Sequence, residues 1–559
     1  MIKRILLLSL IILASCKTTE APKQGLIAEN GMVVSARMEA SKIGADILKQ
    51  GGNAFDAMIA TKFALAVAFP FAGNIGGGGF LVYRLDDGST GTLDFREKAP
   101  LAATKNMYLD SLGNVIPDKS TVGALAVGVP GSVAGIFAIH EKFGSLPMEK
   151  LIQPAINLAN RGVEVTSKQA NRLENYQNLI TKVSGDTVLF AKKYSENDTI
   201  KYNALARTLE TIKEKGQDGF YKGEVAEKIV DFINSNGGII TLEDLANYKA
   251  VWRDPVTFNY KDIKVISMGP PSSGGITLAQ IMKMIESYDL DSEHNSVKAI
   301  QLITEAERRA YADRSYFLGD PDFTEIPGVE ITSSDYLNER MKSFSYDKAT
   351  PSSEISHGEV EIIESDETTH FSIIDQFGNA VSVTTTLNGA YGSKLFSEEL
   401  GFFFNNEMDD FSVKPGVPNM FGLIGGEANS ILPEKRMLSS MTPTIVEKNG
   451  KLSMVLGTPG GSTIITSVLQ TILNVYEYDM GMQQAVNMPR FHHQWLPDEI
   501  RMEPNGFDKE TIEKLKSLGY HINESNSRII GLVDAILVLP NGDLEAGADR
   551  RGDDSAVGF

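Results

Sequence analysis

The chain has 559 residues, 42% of them hydrophobic, enough for one large or two or three ordinary domains with a sizeable core. Its 53 basic and 72 acidic side chains give a net charge of -19, which argues against a nucleic-acid partner, because neutralising phosphates takes a basic face. A single cysteine, Cys16, excludes disulfides and cysteine metal sites within the chain.

Met1-Ile2-Lys3-Arg4 is a short basic start, and Ile5 to Leu13 is an almost unbroken apolar run. That run is shorter than the roughly 20 residues a permanent bilayer helix needs, so residues 1–15 read as a signal peptide. Leu13-Ala14-Ser15-Cys16 resembles a bacterial lipobox. The resemblance makes Cys16 the acylated first residue of the mature chain and residues 16–24 a tether. Two or more acyl chains anchor stably, since each buried CH₂ contributes about 0.8 kcal/mol. The expected place is the cell envelope, on a membrane, with Lys17 favouring the outer one.

Apolar residues at helical spacing predict helices over 39–50 and 56–68, the second Ala-rich and buried. Strands are expected over 80–85 and 90–95, around the turn Asp86-Asp87-Gly88. The middle, 148–345, reads as mainly helical, clearest from Thr304 to Tyr316 and broken by the rigid loop Gly269-Pro270-Pro271-Ser272-Ser273-Gly274-Gly275. Residues 346–367, with Pro351 and seven acids, read as an exposed linker. Strands follow over 370–375 and 380–385, then a hairpin of 444–446 with 452–456 around Asn449-Gly450. A helix over 462–476 and a last hairpin, 529–539 with 544–548, complete the chain. This order suits a layered helix–sheet–sheet–helix domain.

The chain has no G-x-S-x-G elbow, no H-E-x-x-H and no phosphate-binding G-x-x-x-x-G-K-[ST] loop. Among seven histidines the one cluster is His492-His493, and adjacent residues point different ways, so a structural role is expected. The informative segment is Asp366-Glu367-Thr368-Thr369-His370-Phe371-Ser372, where an acidic linker runs into a strand. A cut between Glu367 and Thr368 would give Thr368 a free α-amine of pKa roughly 7.7–8.0, able to serve as the base for its own hydroxyl. Thr-Thr is also common in strands, and the segment alone does not decide between these readings.

Its company does. Asn74-Ile75-Gly76-Gly77-Gly78-Gly79-Phe80, Asp94-Phe95-Arg96-Glu97, Gly128-Val129-Pro130-Gly131-Ser132 and Thr368-Thr369-His370 recur in family order with Thr386-Leu387-Asn388-Gly389 and Asn405-Asn406-Glu407-Met408-Asp409-Asp410-Phe411. Leu438-Ser439-Ser440-Met441, Gly457-Thr458-Pro459-Gly460-Gly461-Ser462 and Pro489-Arg490-Phe491-His492-His493-Gln494-Trp495 complete the set. From about Gly25 to Phe559 the chain resembles the γ-glutamyltransferase family of N-terminal-nucleophile hydrolases.

The resemblance implies an α+β fold, a four-layer αββα sandwich built jointly by a large subunit, 25–367, and a small subunit, 368–559, cut from one precursor. It implies glutathione and other γ-glutamyl compounds as donors, with water, amino acids or dipeptides as acceptors, and neither metal nor organic cofactor. Thr368 would be the nucleophile, Thr386 its hydrogen-bonding partner, and Gly460 and Gly461 the oxyanion N–H pair. Glycines there would also suit a plain strand-to-helix turn. A γ-glutamyl head group is a zwitterion. Arg96 can take its carboxylate as a bidentate pair, with Ser439 and Ser440 as further donors. Glu407 and Asp410, with Asn388, can hold its ammonium; some family members carry glutamine at the position of Glu407. Lys414 to Ser430 resembles the family's lid loop, with Phe421 where related enzymes often place a tyrosine. The competing readings are a cephalosporin (glutaryl) acylase of the same fold and a non-catalytic ligand-binding lipoprotein.

Overall fold

Strands whose side chains alternate between two buried faces dominate the centre of the molecule. The computed structural model describes residues 24–356, 368–523 and 528–559. The central strands, in chain order, are β1 (Ile27–Ala28), β2 (Met32–Ser35), β3 (Gly78–Arg84), β4 (Thr90–Asp94), β5 (Val251–Arg253), β6 (Val256–Tyr260) and β7 (Ile263–Ser267). They continue with β8 (Thr369–Ile374), β9 (Ala380–Thr386), β10 (Thr444–Lys448), β11 (Lys451–Gly457), β12 (Asp534–Val538), β13 (Leu544–Ala548) and β14 (Ser555–Gly558). They form two seven-stranded sheets, ordered β14-β2-β8-β9-β3-β4-β5 and β1-β13-β12-β11-β10-β7-β6.

Consecutive residues assign the layers. Phe80 and Val82 of β3 pack between the sheets with Val34, Ile445 and Ile536. Leu81 and Tyr83 of the same strand point outward, under helices α1 (Met38–Lys49) and α2 (Ala54–Ala68). Val446, next to Ile445, faces outward from the second sheet, under α3 (Gly274–Ile285), α4 (Val297–Phe317) and α5 (Ile464–Tyr476). The architecture is therefore αββα, and both faces of each sheet are covered, which is why these strands read as continuous apolar runs. Strand β8 lies between β2 and β9, so residues before and after the 357–367 segment share one sheet.

Three expectations need correction. The middle is not only helical: Val251 to Ser267 makes three strands, and β7 pairs with β10 at the heart of the second sheet. Short strands joined by a two-residue turn at Lys261-Asp262 leave little periodicity to read. The linker is not exposed from its start: Thr350, Ser352 and Ile355 are buried, Thr350 donates its backbone N–H to Glu305, and Ser352 donates to the Trp495 carbonyl. Residues 357–367 lie outside the described residues. The last hairpin begins at Asp534 rather than Ile529, because Gly531, at φ 70°, bends the chain and Leu532 N donates to Thr458 Oγ1 (2.7 Å). The His492 ring bonds Thr466 and Gln494, and the His493 ring accepts from Trp495 N and meets Asp498, so both rings are occupied with local structure.

Candidate active site

Thr368 precedes β8 by one residue and is 5% exposed. The β8–β9 register pairs Thr369 with Thr385, so one further step brings Thr368 opposite Thr386. The Thr386 hydroxyl accepts from Asn388 N at 2.7 Å, which fixes its orientation. Asn388 adopts φ 70° at the end of β9, and its side chain donates to the Asn406 carbonyl (3.0 Å). The glycine-rich segment supports this corner from behind. Asn74 donates to the Thr386 carbonyl (2.8 Å) and accepts from Gly77 N (2.9 Å) and Ser132 Oγ (2.8 Å). A side chain on Gly77 would collide with the Thr386 carbonyl, so only glycine fits. Asn405 in turn binds the Gly76 and Gly128 carbonyls and accepts from Glu407 N (3.0 Å).

One cavity of about 280 Å³ gathers Arg96, Thr368, Thr386, Asn388, Asp410, Ser439, Ser440 and Gly461. Gly460 lines a second cavity, which Thr368 also lines. Glu407 has no exposed surface and stands behind Arg96 rather than in the cavity wall, with its Oε2 2.5 Å from Arg96 Nη1. Cys16 and Glu367 lie outside the described residues, so only the Thr368 side of the expected cut is described.

The electrostatics centre on Arg96. Its Nη2 bonds Asp410, while Glu407 and Glu97 (3.7 Å) flank Nη1. Burial alone would lower its pKa, but the three carboxylates hold it above the ordinary arginine value. One guanidinium does not compensate three buried acids. Burial pushes Glu97 up to about 8 and Glu407 well above its usual range, and the neighbouring Arg96 opposes both shifts. Behind it, buried Lys62 is lowered to about 7 by desolvation and donates to Thr385 Oγ1 (2.7 Å).

Gly460 and Gly461 take φ 137° and 51°, a backbone that side chains disfavour, where β11 ends and the approach to α5 begins. Pro459 has no N–H. Among the described residues neither glycine N–H donates to a hydrogen bond, as expected of the first turn of a helix. Unbonded N–H groups at a helix start are the kind of donor that stabilises an anion. The Lys414–Ser430 loop closes over them: Met420 N donates to Asp409 Oδ2 (2.8 Å), and Asn419 donates to Asp410 Oδ1 (3.0 Å). The Phe421 ring lies against Gly461, an aromatic wall without a hydroxyl.

A family model described as Gamma-glutamyltranspeptidase matches residues 40–559. The chain belongs to the γ-glutamyltranspeptidase family. It is 46% identical over 538 residues to the Glutathione hydrolase proenzyme of Escherichia coli (strain K12), covering 95% of this chain and 92% of the relative. It resembles the crystal structure of Helicobacter pylori gamma-glutamyltranspeptidase at 45% identity and TM-score 0.57, over 61% of this chain and 96% of that one. The crystal structure of cephalosporin acylase from Bacillus halodurans has TM-score 0.85 at 23% identity, over 98% of both chains, which is a likeness of fold. The fold is that of the N-terminal-nucleophile hydrolases.

The site also holds residues that sequence reasoning passed over. Arg314 of α4 lines the cavity, buried, with Nε donating to Ser273 Oγ (2.9 Å) and Nη2 to Ser440 Oγ (3.0 Å). Burial lowers it to about 10, still a cation at neutral pH. The Gly269–Gly275 loop, expected only as a helix breaker, clamps the serines: Ser273 N and Oγ both donate to the Ser439 carbonyl, and Ser439 N donates to the Pro271 carbonyl.

Proposed function

We propose that the protein cuts itself before Thr368 and then acts as a γ-glutamyltransferase and glutathione hydrolase. The observation that carries this reading is the setting of Thr368. It heads a buried strand opposite Thr386, at the wall of an arginine–carboxylate cavity that Gly461 also lines, next to two glycines whose N–H groups are unbonded. The Escherichia coli relative, named a glutathione hydrolase proenzyme, supports both the substrate class and the precursor form. The Helicobacter pylori chain matches 61% of this chain, the share that residues 25–367 make up, which supports a two-chain product.

In the precursor the Thr368 hydroxyl attacks the Glu367 carbonyl. An ester forms as the peptide C–N bond breaks, and water then hydrolyses that ester to leave Thr368 with a free amine. In turnover that amine takes the hydroxyl proton as Oγ bonds the γ-carbonyl carbon. The N–H groups of Gly460 and Gly461 receive the oxyanion; such a donor typically supplies about 2.7–4 kcal/mol. Collapse breaks the amide C–N bond, and the ammonium returns its proton to the leaving amine. Water or an acceptor amine then attacks the γ-glutamyl ester, passes its proton to the same amine, and Thr368 Oγ leaves protonated.

Arg96, Ser439 and Ser440 bind the substrate α-carboxylate, and Arg314 adds a second cation beside them. Asp410 and Asn388 receive the α-ammonium, with Glu407 completing the negative cluster behind Arg96. A substrate ammonium would compensate carboxylates that burial now pushes towards the neutral form. A glutaryl group has no ammonium to do so, which favours this reading over the acylase. The protein is anchored at a membrane, the outer one favoured, through acyl chains on Cys16; the support for this is the Leu13–Cys16 tetrad and Lys17.

Sequencing the smaller fragment of purified protein should give Thr-Thr-His at its N-terminus, and a γ-glutamyl anilide should turn over faster than the glutaryl anilide. A wild-type chain that stays whole and inactive, indistinguishable from Thr368→Ala, would sink the reading.

A further inference from the structure

The second cavity that reaches Thr368 has a volume of about 690 Å³ and shares Gly460 with the oxyanion turn. It meets the Arg96 cavity at Thr368, which lines both, so a substrate held there by its head group with its scissile amide at Thr368 has this cavity open to its leaving portion. Two arginines occur in its wall, and they differ. Arg551 is fully committed: it bonds Asp549 and Glu503 and the carbonyls of Val486, Asn487 and Met488.

Arg172 is not committed. It projects half-buried from the helix Ser167–Ser184, and its guanidinium carbon lies 4.8 Å from the Phe71 ring centre and 5.2 Å from that of Phe69. The Nη1 atom is shielded from solvent, yet has no hydrogen-bond partner among the described residues. No described carboxylate lies within ion-pair distance of it. The nearest acid in the wall, Asp554, faces Asp534 and Asp549, and burial raises it to about 7, so it compensates Arg172 only partly. The remaining wall is apolar, with Leu532 and the exposed Ile529 at the rim.

Resting on the reading of Thr368 as the γ-glutamyl nucleophile, we propose that this cavity is the subsite for the leaving peptide, with Arg172 binding that peptide's C-terminal carboxylate. The planar guanidinium, held against two aromatic rings, presents a fork suited to bidentate contact with a carboxylate. The apolar wall takes the side chain between that carboxylate and the scissile amide. The same site serves the reverse approach, in which a dipeptide acceptor brings its amine to the Thr368 ester while its carboxylate rests on Arg172.

The test uses the purified, self-cleaved protein and two donors, γ-glutamyl-alanyl-glycine and the same compound with a C-terminal carboxamide. The wild type is expected to show a kcat/KM roughly ten-fold higher for the free carboxylate, the scale of one charge-assisted contact. Arg172→Met should erase that preference by raising KM for the acid, leaving kcat, the amide donor and a neutral γ-glutamyl anilide unchanged. Arg172→Lys should retain part of the preference. A wild type that treats the two donors alike overturns the proposal, as does an Arg172→Met protein that loses both donors equally. The wild-type comparison stands even where a variant fails to fold. If the wild type neither cleaves itself nor uses the anilide, the failure belongs to the reading of Thr368 and not to the subsite.

Discussion

Arg314 Nη2 donates to Ser440 Oγ at 3.0 Å, and Arg314 forms no ion pair with a described carboxylate. A guanidinium only donates, so the Ser440 hydroxyl is the acceptor and its own proton is left to point into the cavity. Ser439 Oγ is set the same way, by Met441 N at 3.1 Å. Both serines are thus oriented as donors before any carboxylate arrives. Arg96, by contrast, is already surrounded by acids.

Replacing Arg314 by Met should therefore raise KM for a γ-glutamyl anilide by about 10–100-fold, the range of one to two charge-assisted contacts, with a smaller change in kcat. Self-cleavage should persist, because it uses no α-carboxylate. Arg314→Lys should recover part of the affinity, since Lys restores charge but not the two-pronged contact with Ser273 and Ser440. Steady-state kinetics on the cleaved protein decide this, and an unchanged KM in Arg314→Met would remove Arg314 from the head-group site.

Asp410 is bonded to Arg96 and lines the cavity, so it stands where an incoming ammonium would meet it. Asp410→Asn keeps the shape and removes the charge. The expected loss is about 100-fold in kcat/KM on a γ-glutamyl anilide and little on the glutaryl analogue, since about 1.5–3 kcal/mol is typical of a hydrogen bond to a charged group. Equal losses on both substrates would show that Asp410 only holds Arg96 in place.

Gly461 has φ 51° and sits under the Phe421 ring. Gly461→Ala is expected to strain the turn, press on Phe421 and tilt the adjacent N–H groups. If cleavage and turnover share the oxyanion site proposed at Gly460 and Gly461, gel electrophoresis should then show a slowly cleaving or uncut chain. Normal cleavage with a hundred-fold lower turnover would separate the two reactions and place the first oxyanion elsewhere.

Much of this was legible before any coordinates. The β8–β9 and β10–β11 hairpins declared themselves through alternation and Asn-Gly or Gly-Asn turns, whereas Thr368 stood out only in the company of the motifs around it. Arg314 was hidden because Thr304 to Tyr316 is dense in Glu and Arg, a pattern that usually marks a solvated face; here every residue from Ala299 to Ser315 is buried. Burial of that kind depends on what packs against a helix, which local sequence does not state. Ser352 was hidden for the converse reason: its polar neighbours read as linker, while its partners Arg308, Trp495 and Asp498 come from distant segments. Glu407 and Asp410 read alike in the sequence as acids for an ammonium, but which of them lines the cavity and which stands behind Arg96 is a property of the 3₁₀ turn Glu407–Asp410.

His370, two residues beyond Thr368, gives a pH test of the core. Its ring is fully buried between the sheets' polar groups, with Nδ1 2.9 Å from Thr384 Oγ1 and Nε2 3.1 Å from Ser372 Oγ. Hydroxyls satisfy a neutral imidazole but not a buried imidazolium, and desolvation lowers the ring to about 3. An unfolded chain binds this proton below about 6.5, and the folded chain does not until about 3. The stability owed to the neutral ring is therefore complete above 6.5 and drains away as pH falls towards 3, with a limiting slope of about 1.4 kcal/mol per pH unit. Urea unfolding of the uncut Thr368→Ala chain, with and without His370→Gln, isolates the term. The stability gap between the two should shrink by about 1.6 kcal/mol between pH 6.5 and pH 5. A gap that stays constant across that interval would mean that the ring is protonated in the folded protein, with a proton acceptor close enough to hold the charge.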